Sequence, residues 1–162
     1  KVEIIPTCIE ISTERKTYKE LKYPVKIGWI GGNGNQKYLD DIIEDLNIVN
    51  KKYPIHLIII SGKKYTNTKA DFQIENIKWQ LNTQNHDLLK IDIGIMPLRN
   101  TNEDKGKCAF KLLQYMSVGV VAVSSSVTIN NEIIDEEKNG FLVKDSWSKI
   151  LLYVIEKHKD FD

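Results

Sequence analysis

Residues Val25–Ser61 read VKIGWIGGNGNQKYLDDIIEDLNIVNKKYPIHLIIIS. Val25–Gly31 is β-branched and aromatic and ends in glycines, the pattern of a buried strand. Tyr38–Tyr53 then carries Leu39, Ile42, Ile43, Leu46 and Val49 at helical spacing. Its acids come early and its lysines late, which suits the helix dipole. Ile55–Ile60 is a second strand, closed by the turn residues Ser61 and Gly62. No hairpin signal separates these elements, so the two strands are expected to run parallel with the helix as their crossover.

The same alternation continues downstream. IENIKWQ (Ile74–Gln80) reads as a weaker third strand, NTQNHDLLKI (Asn82–Ile91) as a short helix and DIGIMPL (Asp92–Leu98) as a fourth strand. Within KGKCAFKLLQYMSVG (105–119) a largely apolar helix follows over Lys107–Gly119, and VVAVS (Val120–Ser124) reads as a fifth strand. A helical turn near Asn131–Asp135, a sixth strand NGFLV (Asn139–Val143) and a closing helix over Ser146–Lys157 complete the chain. The pattern predicts an α/β domain on a mainly parallel sheet of about six strands, covered on both faces. Ligands of such sheets sit at the carboxyl ends of the strands. The loops after the strands, 31–37, 61–65, 97–110 and 124–132, are therefore the places to look.

The chain has 162 residues, enough for one ordinary domain with a proper core, and a formal charge of +1. That balance gives no field for nucleic acid or an acidic membrane. Cys8 and Cys108 are far apart and suggest reduced, intracellular thiols. The longest apolar run, around Leu57–Ile60, is far too short to span a bilayer. No signal peptide is visible. The polar stretch Glu10–Tyr23 reads as a linker, and the chain opens on Lys1 in strand-like KVEII, as a piece of a longer protein would.

Two loops carry candidate chemistry. In GGNGNQKYL, Gly31 and Gly32 would admit a ligand close to the backbone, with Lys37 supplying charge to a phosphate; a plain flexible turn is the other reading. A dinucleotide fingerprint needs G-x-G-x-x-G and an acid after the second strand, and both are missing. In the apolar helix, Lys107, Lys111 and Gln114 fall at i, i+4 and i+7 on one stripe. Either the two lysines reach one anion at an open helix entrance after Gly106, or they snorkel to water. Cys108 between them would have a lowered thiol pKa. It reads as a nucleophile or as a packing residue, and no histidine lies near it in sequence.

His56, His86 and His158 follow no metal spacing, so no metal site is expected. Trp29 and Trp79 read as core, and Trp147 as the anchor of the last helix. Asn130–Glu132 reads as a helix cap or as a contact to a sugar hydroxyl.

DIGIMPL…KGKCAFKLLQYMSVGVVAVSSSVTINNEII…NGFLV resembles the C-terminal half of bacterial group 1 glycosyltransferases, the large family 4 of retaining enzymes with the GT-B fold. IGWIGGNGNQKYL is similar to the strand, loop and helix that open that half, and VEIIPTCIEI to the segment leading into it. The resemblance implies a Rossmann-like, doubly wound domain over residues 24–162 that binds a nucleotide diphosphate sugar. Residues 1–23 would be the entry strand and linker from a missing N-terminal domain that holds the acceptor. It implies donor binding by Gly31, Gly32, Lys37, Lys107, Cys108, Ala109, Phe110, Lys111 and Gln114.

The chain also departs from the family pattern. Lys37 matches the family's diphosphate-binding Lys, but Gly32 stands where an Arg is usual. The family's Glu-x7-Glu pair falls at Gly106 and Gln114, so both carboxylates are gone. Lys107 and Lys111 would then replace the missing Arg. The implied reaction is sugar transfer to an acceptor hydroxyl with retention, without metal or other cofactor, in surface polysaccharide or lipopolysaccharide synthesis. The implied location is the cytoplasm, with any membrane contact made by the missing domain. The fragment alone is expected to be inactive. The rival readings are an NAD-dependent oxidoreductase domain and a catalytically degenerate nucleotide-binding module.

Overall fold

Six β-branched runs become six strands in the computed structural model, which describes residues 7–17, 21–127 and 129–157. They are β1 (Val25–Ile30), β2 (Ile55–Ser61), β3 (Gln73–Lys78), β4 (Ile93–Met96), β5 (Val121–Ser125) and β6 (Gly140–Val143). All pair in parallel in the order β3-β2-β1-β4-β5-β6. Every strand but the edge strand β3 is nearly all buried, which is why these segments read as continuous rather than alternating apolar runs. The expected entry strand at residues 1–6 lies outside the described residues, as does His158.

Helices cover both faces. On one side, α1 (Lys37–Asp40), α2 (Ile43–Lys52) and α7 (Trp147–Glu156) pack Leu39, Leu46, Val49, Leu151 and Val154 against Ile27, Trp29, Leu57 and Ile59. On the other, α3 (Gln84–Leu88) and α5 (Phe110–Ser117) pack Leu88, Leu112 and Tyr115 against Ile30, Ile58, Ile60 and Met96. Two short helices, α4 (Asn102–Lys105) and α6 (Asn130–Ile133), lie in the loops after β4 and β5. Ser146 caps α7 through a hydrogen bond from the Lys149 amide, and Asp45 of α2 accepts from Ser146 and from the Ser148 amide, joining the two helices.

Two helices differ from the sequence expectation. The helix expected over Tyr38–Tyr53 is broken at Asp41 and Ile42, where Ile42 takes φ −117° and ψ 4°. Its apolar period survives because α1 and α2 bury the same face. The helix expected from Lys107 begins instead at Phe110, preceded by α4, whose start is a reciprocal cap. Thr101 Oγ1 accepts from the Asp104 amide at 3.2 Å and donates to the Asp104 carboxylate at 2.7 Å.

At the opposite, amino edge of the sheet, Lys16 fastens the segment before β1 to the sheet and its helices. Its amide bonds the carbonyl of Val118, and its ammonium bonds the carbonyl of Ile91 and the carboxylate of Asp92. Gly119, at φ +72°, makes the left-handed turn that ends α5 beside it.

Candidate functional site

The strand order reverses between β1 and β4, and there the sheet opens. β1 pairs with β2 along its whole length, but with β4 only at Ile27↔Ile93 and Gly28↔Gly94. Past Gly28 the two strands part, leaving the Ile30 N–H without a strand partner on that side. Tyr115 fills the gap from α5. Its hydroxyl accepts from the Ile30 amide at 3.2 Å and donates to the Ile95 carbonyl at 3.0 Å. The ring lies over Gly94, where an added Cβ would sit 2.5 Å from it. Burial pushes the Tyr115 phenol far above its usual pKa, so the floor of the crevice is uncharged.

Above this floor stands the start of α5. Ala109 precedes the helix at φ 53° and ψ 23°, a left-handed conformation that costs an L-residue roughly 1–2 kcal/mol. The turn lifts Lys107 off the helix axis and puts it on the loop, so the three-residue stripe expected on one helix face does not exist. Lys111 and Gln114 remain on α5, and the first-turn amides of Phe110 and Lys111 have no preceding helical carbonyl to bond.

The two lysines are held differently. The Lys107 ammonium lies 3.5 Å from Asp104, 3.6 Å from Glu103, 3.4 Å from the Asn35 side-chain oxygen and 5.1 Å from the centre of the Tyr38 ring. Partial burial works against its charge, but Tyr38 and the two carboxylates outweigh it and raise its pKa. Among the described residues no carboxylate pairs with Lys111. Its ammonium sits 5.6 Å from the Trp29 ring, and its stem passes over Gly31, where a Cβ would come within 2.7 Å of the buried Trp29 ring and 2.8 Å of that stem. Burial, and then the charge of Lys107, push the Lys111 pKa down. Gly31 is thus required by close approach. Gly32, at φ −70°, has nothing within 4 Å of a would-be Cβ.

Two adjoining clefts open here. One, about 360 Å³, is lined by Gly31, Gly32, Lys107, Cys108, Ala109, Phe110, Lys111 and Gln114, together with Ile30, Asn35, Met96 and Gly106. Eight of the nine residues expected in the donor site therefore meet in one place. The ninth, Lys37, lines neither cleft; it is exposed, with its ammonium 5.3 Å from the Tyr38 ring. The second cleft, about 400 Å³, shares Ile30, Gly31, Gly32, Phe110 and Gln114 and adds Asn33, Gly62, Trp79 and Gln84.

Sequence reasoning missed several residues here. Trp79, expected in the core, is 43 % exposed at the cleft mouth. Tyr38 and Asp104, both buried, hold a 2.6 Å hydrogen bond from the Tyr38 hydroxyl to the carboxylate. Burial alone would raise the Asp104 pKa, but the hydrogen bonds from Tyr38 and Thr101 and the charge of Lys107 hold it below the usual range. Arg99 lies over the same Tyr38 ring and pairs through two hydrogen bonds with Asp41. The spacing Thr101-x-x-Asp104 was a legible cap signal for α4. Nothing local marked Tyr38 as its partner.

Away from the crevice, Asn130 is fully buried and donates to the Ser125 carbonyl, so it neither caps α6 nor lines a cleft. Cys108 is exposed, and the described residues contain no disulfide. Among them no three His, Cys, Asp or Glu side chains come together as a metal site, and no helix is long and apolar enough to cross a membrane.

A sequence model of the family described as "Glycosyl transferases group 1" matches residues 24–156. No curated protein matches the chain. Among solved structures, the chain is similar to the crystal structure of TarM, with a TM-score of 0.64 and 15 % identity over 93 % of this chain. It spans 32 % of that protein. It is also similar to the C-terminal domain of a glycosyl transferase group 1 family protein (LpcC) from Francisella tularensis. There the TM-score is 0.58 at 18 % identity, over 85 % of this chain and 83 % of that domain. These two likenesses establish a common Rossmann-like α/β fold.

Proposed function

The chain belongs to the group 1 glycosyl transferases, and on that premise we propose that it is the donor-binding part of a retaining GT-B enzyme. It would hold a nucleotide diphosphate sugar while a further part of a longer protein presents the acceptor hydroxyl. The observation that carries this reading is Lys111. A partly buried ammonium with no carboxylate beside it among the described residues, at the mouth of a helix whose first amides are open, is a site waiting for an anion.

In transfer, the bond from the anomeric carbon to the β-phosphate oxygen breaks and negative charge gathers on the departing diphosphate. Lys111, the amides of Phe110 and Lys111, and Lys107 would stabilise that charge, and the low-dielectric crevice strengthens their effect. The Gln114 amide can both donate to and accept from a ribose hydroxyl. Neither Gly106 nor Gln114 can supply negative charge to an oxocarbenium-like sugar, so that stabilisation would come from elsewhere in the enzyme. Surface polysaccharide or lipopolysaccharide assembly in a bacterial cytoplasm is the setting this reading favours.

An NMR amide-shift titration with UDP, GDP, ADP and NAD tests the proposal. Shifts that include residues 31–37 and 107–114 with a nucleoside diphosphate are expected. Shifts with NAD alone would favour an oxidoreductase domain, and silence with all four would overturn the donor-site reading. Sugar turnover by this chain alone is expected to be absent.

A further inference from the structure

The two clefts differ in chemistry in a way that divides a nucleoside diphosphate between them. The first is lined by Lys107 and Lys111, whereas the second has neither a cation nor a carboxylate along its lining. Instead it has two large aromatic side chains that remain partly open to solvent, Trp79 at 43 % and Phe110 at 40 % exposure. A charged diphosphate suits the first cleft, and a planar, uncharged ring suits the second. This division rests on the donor-site reading above.

Trp79 is not loosely placed. Its amide donates to the Ser61 carbonyl at 3.0 Å, and the Ser61 hydroxyl in turn donates to the Gly31 carbonyl at 2.9 Å, so its backbone is tied to the ends of β1 and β2. Its indole N–H donates to the side-chain oxygen of Gln84 at 2.9 Å. An indole N–H can only donate. It therefore fixes which way the Gln84 amide faces: the oxygen is turned toward Trp79, and the NH₂ group, its only donor, is turned to the other side.

We propose that the Trp79–Gln84 pair makes the second cleft a base subsite that selects a keto edge over an amino edge. An NH₂ group is a donor and needs an acceptor opposite it. Uracil and guanine carry a carbonyl oxygen at the ring position where cytosine and adenine carry an amino group. Set against the Gln84 NH₂, a carbonyl completes a hydrogen bond, and an amino group leaves two donors facing each other. The donor sugar is accordingly carried by uridine or guanosine diphosphate.

Matched pairs test this with ring size held constant: UDP against CDP, and GDP against ADP, titrated into the chain while the Trp79, Gln84, Lys107 and Lys111 amides are followed. The keto member of each pair should bind about tenfold tighter and shift all four amides. Trp79→Phe keeps an aromatic wall but releases the Gln84 amide to turn over, so the preference should shrink to roughly threefold or less. Gln84→Glu presents acceptors only, so the preference should invert toward CDP and ADP. Equal affinities within each pair, or a Trp79→Phe preference equal to the parent's, would overturn the proposal. So would shifts confined to Lys107 and Lys111, with the donor-site reading left standing. No binding by any of the four would overturn both.

Discussion

Lys111 is expected to matter more than Lys107, although both line the same cleft. Asp104 and Glu103 already balance the charge of Lys107, whereas the Lys111 ammonium lies over the Trp29 face. In the nucleotide titration, Lys111→Ala should weaken diphosphate binding by about tenfold or more, and Lys107→Ala by only a few-fold; the reverse order would sink this assignment. Because the Lys111 pKa is depressed, its proton leaves at a lower pH than that of an ordinary lysine. Affinity should fall as pH rises through that depressed value, and Lys111→Arg should flatten the fall. Gly32 offers a test of gain rather than loss. Its φ of −70° and the open space around it admit a side chain, so Gly32→Arg should tighten diphosphate binding by about tenfold, read in the same titration. Lys111 and Gly31 were visible in sequence because a charge in an apolar helix and a glycine after a strand break a local pattern. Trp79 was not, since an aromatic residue at the end of a weak strand follows the pattern of core.

At the scale of elements, α5 is the piece that makes the crevice. It supplies Tyr115 to the floor and opens its amides above. Tyr115→Phe would keep the ring over Gly94 but leave the Ile30 N–H buried with no acceptor. The expected cost is about 1–3 kcal/mol of unfolding free energy, measured by urea denaturation, with faster hydrogen exchange at Ile30. No loss of stability would mean that the amide finds another acceptor. The start of α5 was misplaced in sequence for a physical reason. Its boundary is set by the left-handed Ala109, and nothing in the identity of an alanine foretells φ 53°. The buried contacts of Ala109 with its surroundings, rather than its own propensity, fix the turn. By contrast, Ser146 and the apolar run after it announced α7 almost to the residue, because cap and periodicity are both local.

For the whole molecule, the protonation states set a window of stability. Asp104, with its pKa held down, contributes stability that is present above the carboxylate's unfolded pKa and is lost as pH falls through the lower folded value. Tyr115, Tyr65 and Tyr38 have raised pKa values, so their contribution is full below about pH 10 and declines above it, as the unfolded phenols ionise first. Urea midpoints taken across pH should show a plateau with an acid and an alkaline limb, and Tyr115→Phe should have the shallower alkaline limb. A parent whose midpoint does not fall above pH 10 would contradict the burial of these phenols. The parallel sheet was legible in sequence because every strand but the edge strand β3 is nearly all buried and no hairpin signal joins one strand to the next. The pairing of Tyr38 with Asp104 was not, because it joins segments 66 positions apart. Of the three tryptophans, Trp29 and Trp147 are buried, at 1 % and 8 % exposure, and only Trp79 stands in water. The red edge of the protein's ultraviolet emission therefore belongs to one indole at the mouth of one cleft, and that light should dim or shift blue when the cleft is filled.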